Sequence, residues 1–357
     1  MAEAAGRLTP AVRLAPAKLN LTLAVLGRRS DRFHELHSVM VPLALADRLS
    51  VARAATAAGA GTAAGPDALR VEGLDAGPVE DNLVLLALAL ARASVGRAAD
   101  PFPLAARLDK RIPVAAGLAG GSSDAAAAID AALEAWGLLV PGAAPDVELE
   151  ALRHGIAART GSDVPFFLAG GPALVEGRGE RVTPLTPIRG TPPGVVLVTP
   201  LVPAPTPAVF ATFDAGGLAS AADPRSTRLT SDHLAAELRA GLTAASLVAR
   251  AGALAAANDL LPAATIVVDG LTVLRRALAR RLGRPVGLSG SGPSLWVLYP
   301  SEVDAVAAAD DVRQGVADGS IVAPGGAPPS IIATSFAAPQ RGPAASATGG
   351  HETEDRP

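Results

Sequence analysis

The sequence predicts an α+β fold in two domains, and three observations lead there. The chain is 357 residues long, and at roughly 100–200 residues per domain that length suits two. Strand-like and helix-like segments are interleaved without the strict strand–helix–strand alternation of a doubly wound sheet. Composition also shifts at 183–194 (TPLTPIRGTPPG), a Pro- and Thr-rich stretch between two apolar runs. This places one domain at 1–190 and a second at 191–337. The remainder, 338–357, is rich in Ala, Pro, Gly and charge without apolar periodicity, and reads as a disordered tail.

The individual elements follow from period and punctuation. Within 11–27 the run LNLTLAVL alternates as a strand does. A polar loop, GRRSDRFHEL, separates it from HSVMVPLAL at 37–45 and LSVARA at 49–54, read as two further strands, with an Ala/Gly-rich loop at 55–68. Residues 79–96 read as a helix with Asp81 or Asn82 as N-cap. LAARLDK at 104–110 is a strand, followed by a Gly-rich loop running into an Ala-rich helix, then a helix over 147–160. GSDVPFFLAGGPALVEGRGE reads as a loop with short strands. In the second domain VVLVTP at 195–200 is a buried strand, with helices over 231–240, 243–257 and 270–282. Residues 286–300 read as strand, Gly turn, strand; 301–314 as a helix; and SIIATSFA as a last strand.

Composition excludes several function classes. Hydrophobic residues make up 49% of the chain, enough for a core, so wholesale disorder is excluded. The 37 Gly and 31 Pro follow no G-x-y period, which excludes collagen. With no Cys, there is no disulfide framework, thiolate metal site or Cys nucleophile. The net charge of −3 lacks the basic footprint of a nucleic-acid binder. No stretch is long and apolar enough for a signal peptide or membrane span, so a cytoplasmic location is expected. Among 31 basic residues only Lys18 and Lys110 are lysine, and Asn occurs only at positions 20, 82 and 258. In a chain drifted towards Ala, Arg, Gly and Pro, these few mark positions where chemistry resists replacement.

The sharpest local signal is Pro113-Val-Ala-Ala116-Gly117-Leu118-Ala119-Gly120-Gly121-Ser122-Ser123-Asp124. Glycines let backbone N–H groups approach an oxyanion closely. The helix that follows aims its free N–H groups and positive dipole end at the same point. The serine hydroxyls add donors, or ligands for a hard cation. This is a phosphate cradle, although no G-x-x-x-x-G-K-[ST] sequence occurs. A bland alternative is a turn before an Ala-rich helix.

The segment resembles the phosphate-binding motif of the GHMP kinases. Matching stretches extend from about residue 13 to about residue 300: Ala15-Pro16-Ala17-Lys18-Leu19-Asn20, Asp31-Arg32-Phe33-His34, Gly161-Ser162-Asp163, Glu176-Gly177-Arg178, Pro205-Thr206-Pro207 with Phe210, Asn258-Asp259-Leu260 and Ser289-Gly290-Ser291-Gly292-Pro293. Together they look like the branch of that family whose acceptor is a cytidine-diphosphate-linked methylerythritol.

The resemblance implies an N-terminal domain of the ribosomal S5 type, a ferredoxin-like C-terminal domain, ATP and Mg²⁺ as cofactors, a small-molecule substrate and no nucleic-acid partner, in a monomer or homodimer. It implies phosphoryl transfer to the acceptor's 2-hydroxyl, with Asp163 taking the proton and Lys18 keeping that carboxylate ionised. Asn20, Thr206, Phe33, His34 and Phe210 would bind the acceptor. Phe33 and Phe210 would stack on the two faces of the base, and His34 would bind its polar edge. Pro113, residues 116–123, Asn82 and Lys110 would bind the nucleotide. Each has a plainer reading: a turn or cap for Asp163, a surface lysine for Lys18, core packing for Phe33, a helix cap for Asn82, a basic surface pair for Lys110 with Arg111, and a hairpin turn for 289–293. Arg32 stands where a Gly is commoner, and a positive φ there would be costly. His37, His154, His233 and His351 show no metal-ligand spacing and receive no role. Competing readings are another GHMP small-molecule kinase, of homoserine or mevalonate type, or a non-catalytic nucleotide-binding regulator.

Overall fold

A computed structural model describes residues 10–54, 67–96, 102–215 and 224–338. The expected tail beyond 338 and most of the expected loop at 55–68 lie outside the described residues. No helix among the described residues is long and apolar enough to cross a membrane.

The chain builds two sheets, one on either side of the 185–193 connection. The first contains β1 (Ala11–Asn20), β2 (Ala24–Arg28), β3 (His34–Arg53), β4 (Ala68–Gly73), β5 (Leu104–Lys110), β6 (Ala173–Gly177) and β7 (Arg181–Pro184). Its order is β4-β5-β3-β6-β7, with β1 and β2 also paired to β3. On it lie α1 (Leu83–Val95), α2 (Gly120–Ala135), α3 (Val147–Thr160) and α4 (Val164–Leu168), joined through a core of Leu49, Val51, Leu88, Leu104, Leu108, Ile129 and Ile156.

The long strand β3 replaces the two strands expected at 37–45 and 49–54. The polar Ala46-Asp47-Arg48 step between them looks like a break in the sequence. It is spanned because Asp47, fully buried, is answered on every side: Lys110 Nζ and the N–H groups of Arg111 (2.5 Å) and Ile112 (2.9 Å) all donate to it. β4 was not expected. It is an edge strand that alternates between exposed and half-buried residues, and it runs parallel to β5 with α1 as the crossover.

The second sheet has the order β11-β8-β10-β9, all antiparallel, from β8 (Gly194–Thr199), β9 (Gly287–Leu288), β10 (Leu295–Tyr299) and β11 (Ser330–Ser335). Its helices are α5 (Thr206–Ala215), α6 (Pro224–Arg239), α7 (Ala244–Ala249), α8 (Ala251–Ala256), α9 (Leu261–Val267), α10 (Leu271–Leu282) and α11 (Glu302–Ala317). β8 is buried on both faces, as a continuous apolar run requires. Val196, Val198, Leu295 and Val297 face α10 and α11, meeting Leu274, Leu278, Ala309 and Val312. The alternate residues, Val195, Leu197, Trp296 and Leu298, face Leu19, Leu21, Val41 and Leu43 of the first unit. The period of two along β8 and β10 therefore sends one face into the second unit's own core and the other into a core shared with the first.

Helix boundaries differ from the sequence reading in an instructive way. The helix expected at 231–240 starts at Pro224, and the one expected at 243–257 divides at Arg250 into α7 and α8. α4, α5 and α9 were not expected. Each carries a proline in its first turn, Pro165, Pro207 and Pro262, where the missing N–H would have no helical partner in any case. Proline read as a loop signal hid three helix starts.

Leu19→Ala, at a fully buried position in the core shared by the two units, is expected to cost about 2–5 kcal/mol. The check is the urea midpoint. Movement within error of wild type would show that the shared core does not hold the units together.

Candidate active site

A cleft of about 1130 Å³ runs between the two units. That exceeds the upper end, about 1,000 Å³, of usual small-molecule sites, so it has room for two ligands. At one end stands the Gly-rich loop and at the other the aromatic group Phe33, His34 and Phe210, with Lys18, Asn20 and Asp163 also in its wall.

The chemistry is placed by a bulge. The pairing of β1 with β3 shifts register between Pro16 and Lys18, and such a shift re-aims the side chains after it. The Lys18 N–H donates instead to the Leu118 carbonyl of the Gly-rich loop at 3.0 Å. Lys18 and Asn20, two apart on a strand, point the same way as expected: Lys18 Nζ donates to Asn20 Oδ1 at 2.5 Å. The Asn20 amide is fixed in turn, donating to Ser38 Oγ at 2.8 Å. Asp163 Oδ2 lies 3.8 Å from Lys18 Nζ. Asp163 does occupy the N-cap position of α4, but its side chain makes no cap hydrogen bond and is one-third exposed to the cleft. The cap reading therefore describes its backbone and not its carboxylate. Lys18 is almost wholly buried. Desolvation pulls its pKa below the ordinary lysine value, and the Asp163 charge partly opposes this.

The loop has the form of an anion cradle. α2 begins at Gly120 with no side-chain cap, after Ala115, Gly117 and Ala119 at φ of 51°, 75° and 53°. Its first N–H groups are thus left for a ligand. Pro113, Ala116, Gly117, Ala119, Gly120, Gly121 and Ser122 all line the cleft. Leu118 and Ser123 do not: Leu118 is buried and serves through its carbonyl, and Ser123 is turned inward, its hydroxyl without a partner among the described residues. Gly117 is required sterically, since a Cβ there would meet the Ser289 carbonyl oxygen at 2.2 Å. The 289–294 turn docks on this loop: Ser289 Oγ donates to Gly117 O at 3.0 Å, and Asn258 Nδ2 holds Leu288 O and Gly290 O at 3.0 Å each. It is a turn between β9 and β10, and Gly290 and Ser291 also face the cleft.

Lys110 is not a surface cation beside Arg111. Its ammonium is buried between Asp47 and Asp124, the latter at 2.8 Å. The two carboxylates hold its pKa above the ordinary value despite burial. Asp124, next to the phosphate cradle, faces this cation. One ammonium cannot fully compensate two buried carboxylates, and desolvation leads in pushing Asp124 up to about 7. Asn82 is a helix cap that also lies in the cleft wall: its Oδ1 caps α1, accepting from Val84 N at 3.0 Å.

At the far end Phe33 is 47% exposed, which removes the core-packing reading, and Arg178 lies over its ring at 5.3 Å. Arg32 does take a positive φ, 71°, and the turn is held by Asp31, which accepts from Phe33 N at 3.1 Å. Phe210 lines the cleft as Phe33 does. Its ring stacks on His34 itself, with centroids 4.5 Å apart. Thr206, at the start of α5, bonds Ser291 Oγ at 3.0 Å. Sequence reasoning gave no role to Ser38, Arg178 or Asp214; the only available signal was that Arg178 falls in a matched stretch. Among the described residues no three His, Cys, Asp or Glu side chains gather as a metal site.

Known proteins resemble this chain in sequence and fold. Residues 82–171 match the GHMP kinases N terminal domain and 236–318 the GHMP kinases C terminal. The chain is 38% identical over 296 residues to the 4-diphosphocytidyl-2-C-methyl-D-erythritol kinase of Paramagnetospirillum magneticum, covering 83% of this chain and 91% of that relative. It belongs to that family of GHMP kinases. The chain is also 46% identical over 204 residues to the 4-diphosphocytidyl-2-C-methyl-D-erythritol kinase of Pelotomaculum thermopropionicum, a match that takes in 57% of this chain and 63% of the relative, less than two thirds of its length. A crystal structure of 4-(cytidine 5'-diphospho)-2C-methyl-D-erythritol kinase superposes with a TM-score of 0.62 at 30% identity, over 92% of this chain and 100% of that one. Homoserine kinase from Cytophaga hutchinsonii superposes with 0.63 at 16% identity, over 94% and 97% of the two chains, a likeness of fold alone.

Two outcomes follow from this geometry. Gly117→Ala puts a side chain at φ 75° against the Ser289 carbonyl; the backbone alone should cost roughly 1–3 kcal/mol, and ATP affinity should fall with it. A variant that melts and binds nucleotide like wild type would disprove the docking of loop on turn. For Asp124 the folded-state pKa of about 7 is above the ordinary 3.8. Between those values the folded protein holds a proton that the unfolded chain has lost, so this group's contribution to stability falls as pH rises across that window. Asp124→Asn should flatten that part of the curve, measured as melting temperature from pH 4 to pH 7.

Proposed function

We propose that this kinase transfers the γ-phosphoryl group of ATP to the 2-hydroxyl of 4-diphosphocytidyl-2-C-methyl-D-erythritol, giving the 2-phosphate and ADP. The observation that carries the reading is the Lys18–Asp163 pair, 3.8 Å apart, in one cleft with a Gly-rich anion cradle and the aromatic group Phe33, His34 and Phe210.

ATP phosphates sit on the N–H groups at the start of α2. The acceptor lies along the cleft with its base at Phe33 and His34 and its hydroxyl at Asp163. Asp163 takes the hydroxyl proton as the oxygen–phosphorus bond forms and the bond to the β-phosphate oxygen breaks. Lys18 holds that carboxylate in its charged form and offsets charge spreading over the transferring group. Asn20 keeps the ammonium aimed. The Ser122 hydroxyl is the hard oxygen this cradle would offer to Mg²⁺, which would supply neutralisation of phosphate charge. We place the domain boundary near residue 190 and the protein in the cytoplasm, acting as a monomer or homodimer without a nucleic-acid partner.

The test is ADP release from purified protein with Mg·ATP and the cytidyl acceptor, run beside homoserine and mevalonate. Turnover with the cytidyl acceptor alone is expected, with Asp163→Asn reducing kcat by at least about 100-fold, the scale of losing a positioned general base. Turnover with homoserine or mevalonate instead would replace the acceptor and keep the fold. ATP binding without turnover on any of them would make the protein a regulator.

A further inference from the structure

His34 enters the cleft from β3 and is gripped from the second unit by α5. Phe210 and Asp214 stand four residues apart on that helix and so share a face. The Phe210 ring stacks on the imidazole with 24° between planes, and Phe213 meets its edge at 6.5 Å. Asp214 Oδ1 lies 2.9 Å from His34 Nε2, and Arg28 approaches the other carboxylate oxygen at 3.8 Å. The ring is thus held in plane by two aromatic contacts and in rotation by one hydrogen bond.

A carboxylate only accepts, so this bond places the proton of a neutral imidazole on Nε2 and leaves Nδ1 as an acceptor. Nδ1 has no hydrogen-bond partner among the described residues. It is also not sealed in the core as Nδ1 of His37 is, and the His34 side chain lines the cleft. A base bonded to Nδ1 lies beside the His34–Phe210 stack and not between its rings. At position 4 cytosine presents an amino donor, whereas uracil presents a carbonyl acceptor. An acceptor at Nδ1 satisfies the first and sets lone pair against lone pair with the second.

We infer that Asp214 is the residue that sets pyrimidine specificity: by fixing the Nε2–H form of His34 it makes the site take a cytidine-linked acceptor and refuse its uridine-linked counterpart. Asp214 acts through His34 and touches no reacting atom, so it is a positioning residue. The inference rests on the proposed function, which puts the base at this end of the cleft.

The experiment compares kcat/KM for the cytidyl and uridyl forms of the diphosphate-linked methylerythritol in wild type, Asp214→Ala and Asp214→Asn, with ¹⁵N NMR of the histidine-labelled wild type. Wild type should prefer the cytidyl form by about 100-fold or more, as sites built to bond a polar group reject the analogue lacking it. Asp214→Ala should lower that ratio by about tenfold, one hydrogen bond's worth, chiefly by raising KM for the cytidyl form. Asp214→Asn, which can still accept from Nε2, should retain part of the preference. The NMR spectrum should show His34 protonated at Nε2 and bare at Nδ1. An unchanged ratio in Asp214→Ala, or a proton on Nδ1, overturns the inference. Should the alanine variant not fold, the asparagine variant and the wild-type spectrum decide it. A wild type inactive on the cytidyl form would defeat the functional reading instead, and the spectrum would still judge the tautomer.

Discussion

A buried ammonium sets the terms for the Lys18–Asp163 end of this cleft. Lys18 is 3% exposed, and a charge so far from water must be answered by oxygens held in place. Asn20 Oδ1 and the Asp163 carboxylate supply them. Asn20 is steady because Ser38 accepts from it and donates to the Thr22 carbonyl at 2.6 Å. The backbone N–H of Lys18 donates to the Leu118 carbonyl, and Gly290 passes so close that an added Cβ would come within 3.1 Å of the ammonium. Strand, phosphate loop and the turn from the second unit therefore meet at one side chain. The cleft exists where these three elements converge.

A second buried charge does similar work behind the phosphate loop. Asp47 lets β3 run unbroken for 20 residues and receives the first N–H groups of the segment that leads into the loop. Lys110 joins it to Asp124 at the start of α2. Breaking such a buried pair leaves a charge without its partner, so the network fixes geometry more than it adds net stability. The cradle is rigid because the polar groups behind it have few other places to go.

The rarity of Lys and Asn proved a usable signal. Lys18 and Asn20 bond each other in the cleft wall, Lys110 forms the buried network, Asn82 a helix cap at the cleft wall, and Asn258 the clasp on the β9–β10 turn. Each supplies a donor or an acceptor in a geometry that Arg or Ala does not reproduce. The proline-led helices α4, α5 and α9 were hidden by a local rule that holds for helix interiors and fails at first turns. Phe210 was legible as a ring in the pocket, but its partner was not: nothing in the spacing of residues 34 and 210 says that they stack on each other.

The sequence by itself determined the fold class, the strands at 104–110 and 195–200, the helix at 147–160 and the Gly-rich loop, because these rest on local period and glycine freedom; the other residues at the cleft were singled out by the resemblance to a known family, residue by residue. Tertiary structure alone decided which oxygens face Lys18, that Lys110 sits between Asp47 and Asp124 behind the loop, that Ser123 turns inward while Ser122 faces the cleft, and that Asp214 reaches His34 from 180 residues away. Those outcomes depend on how two sheets pack across a shared core, and no pattern along the chain encodes the distance between side chains that meet only after the units have docked.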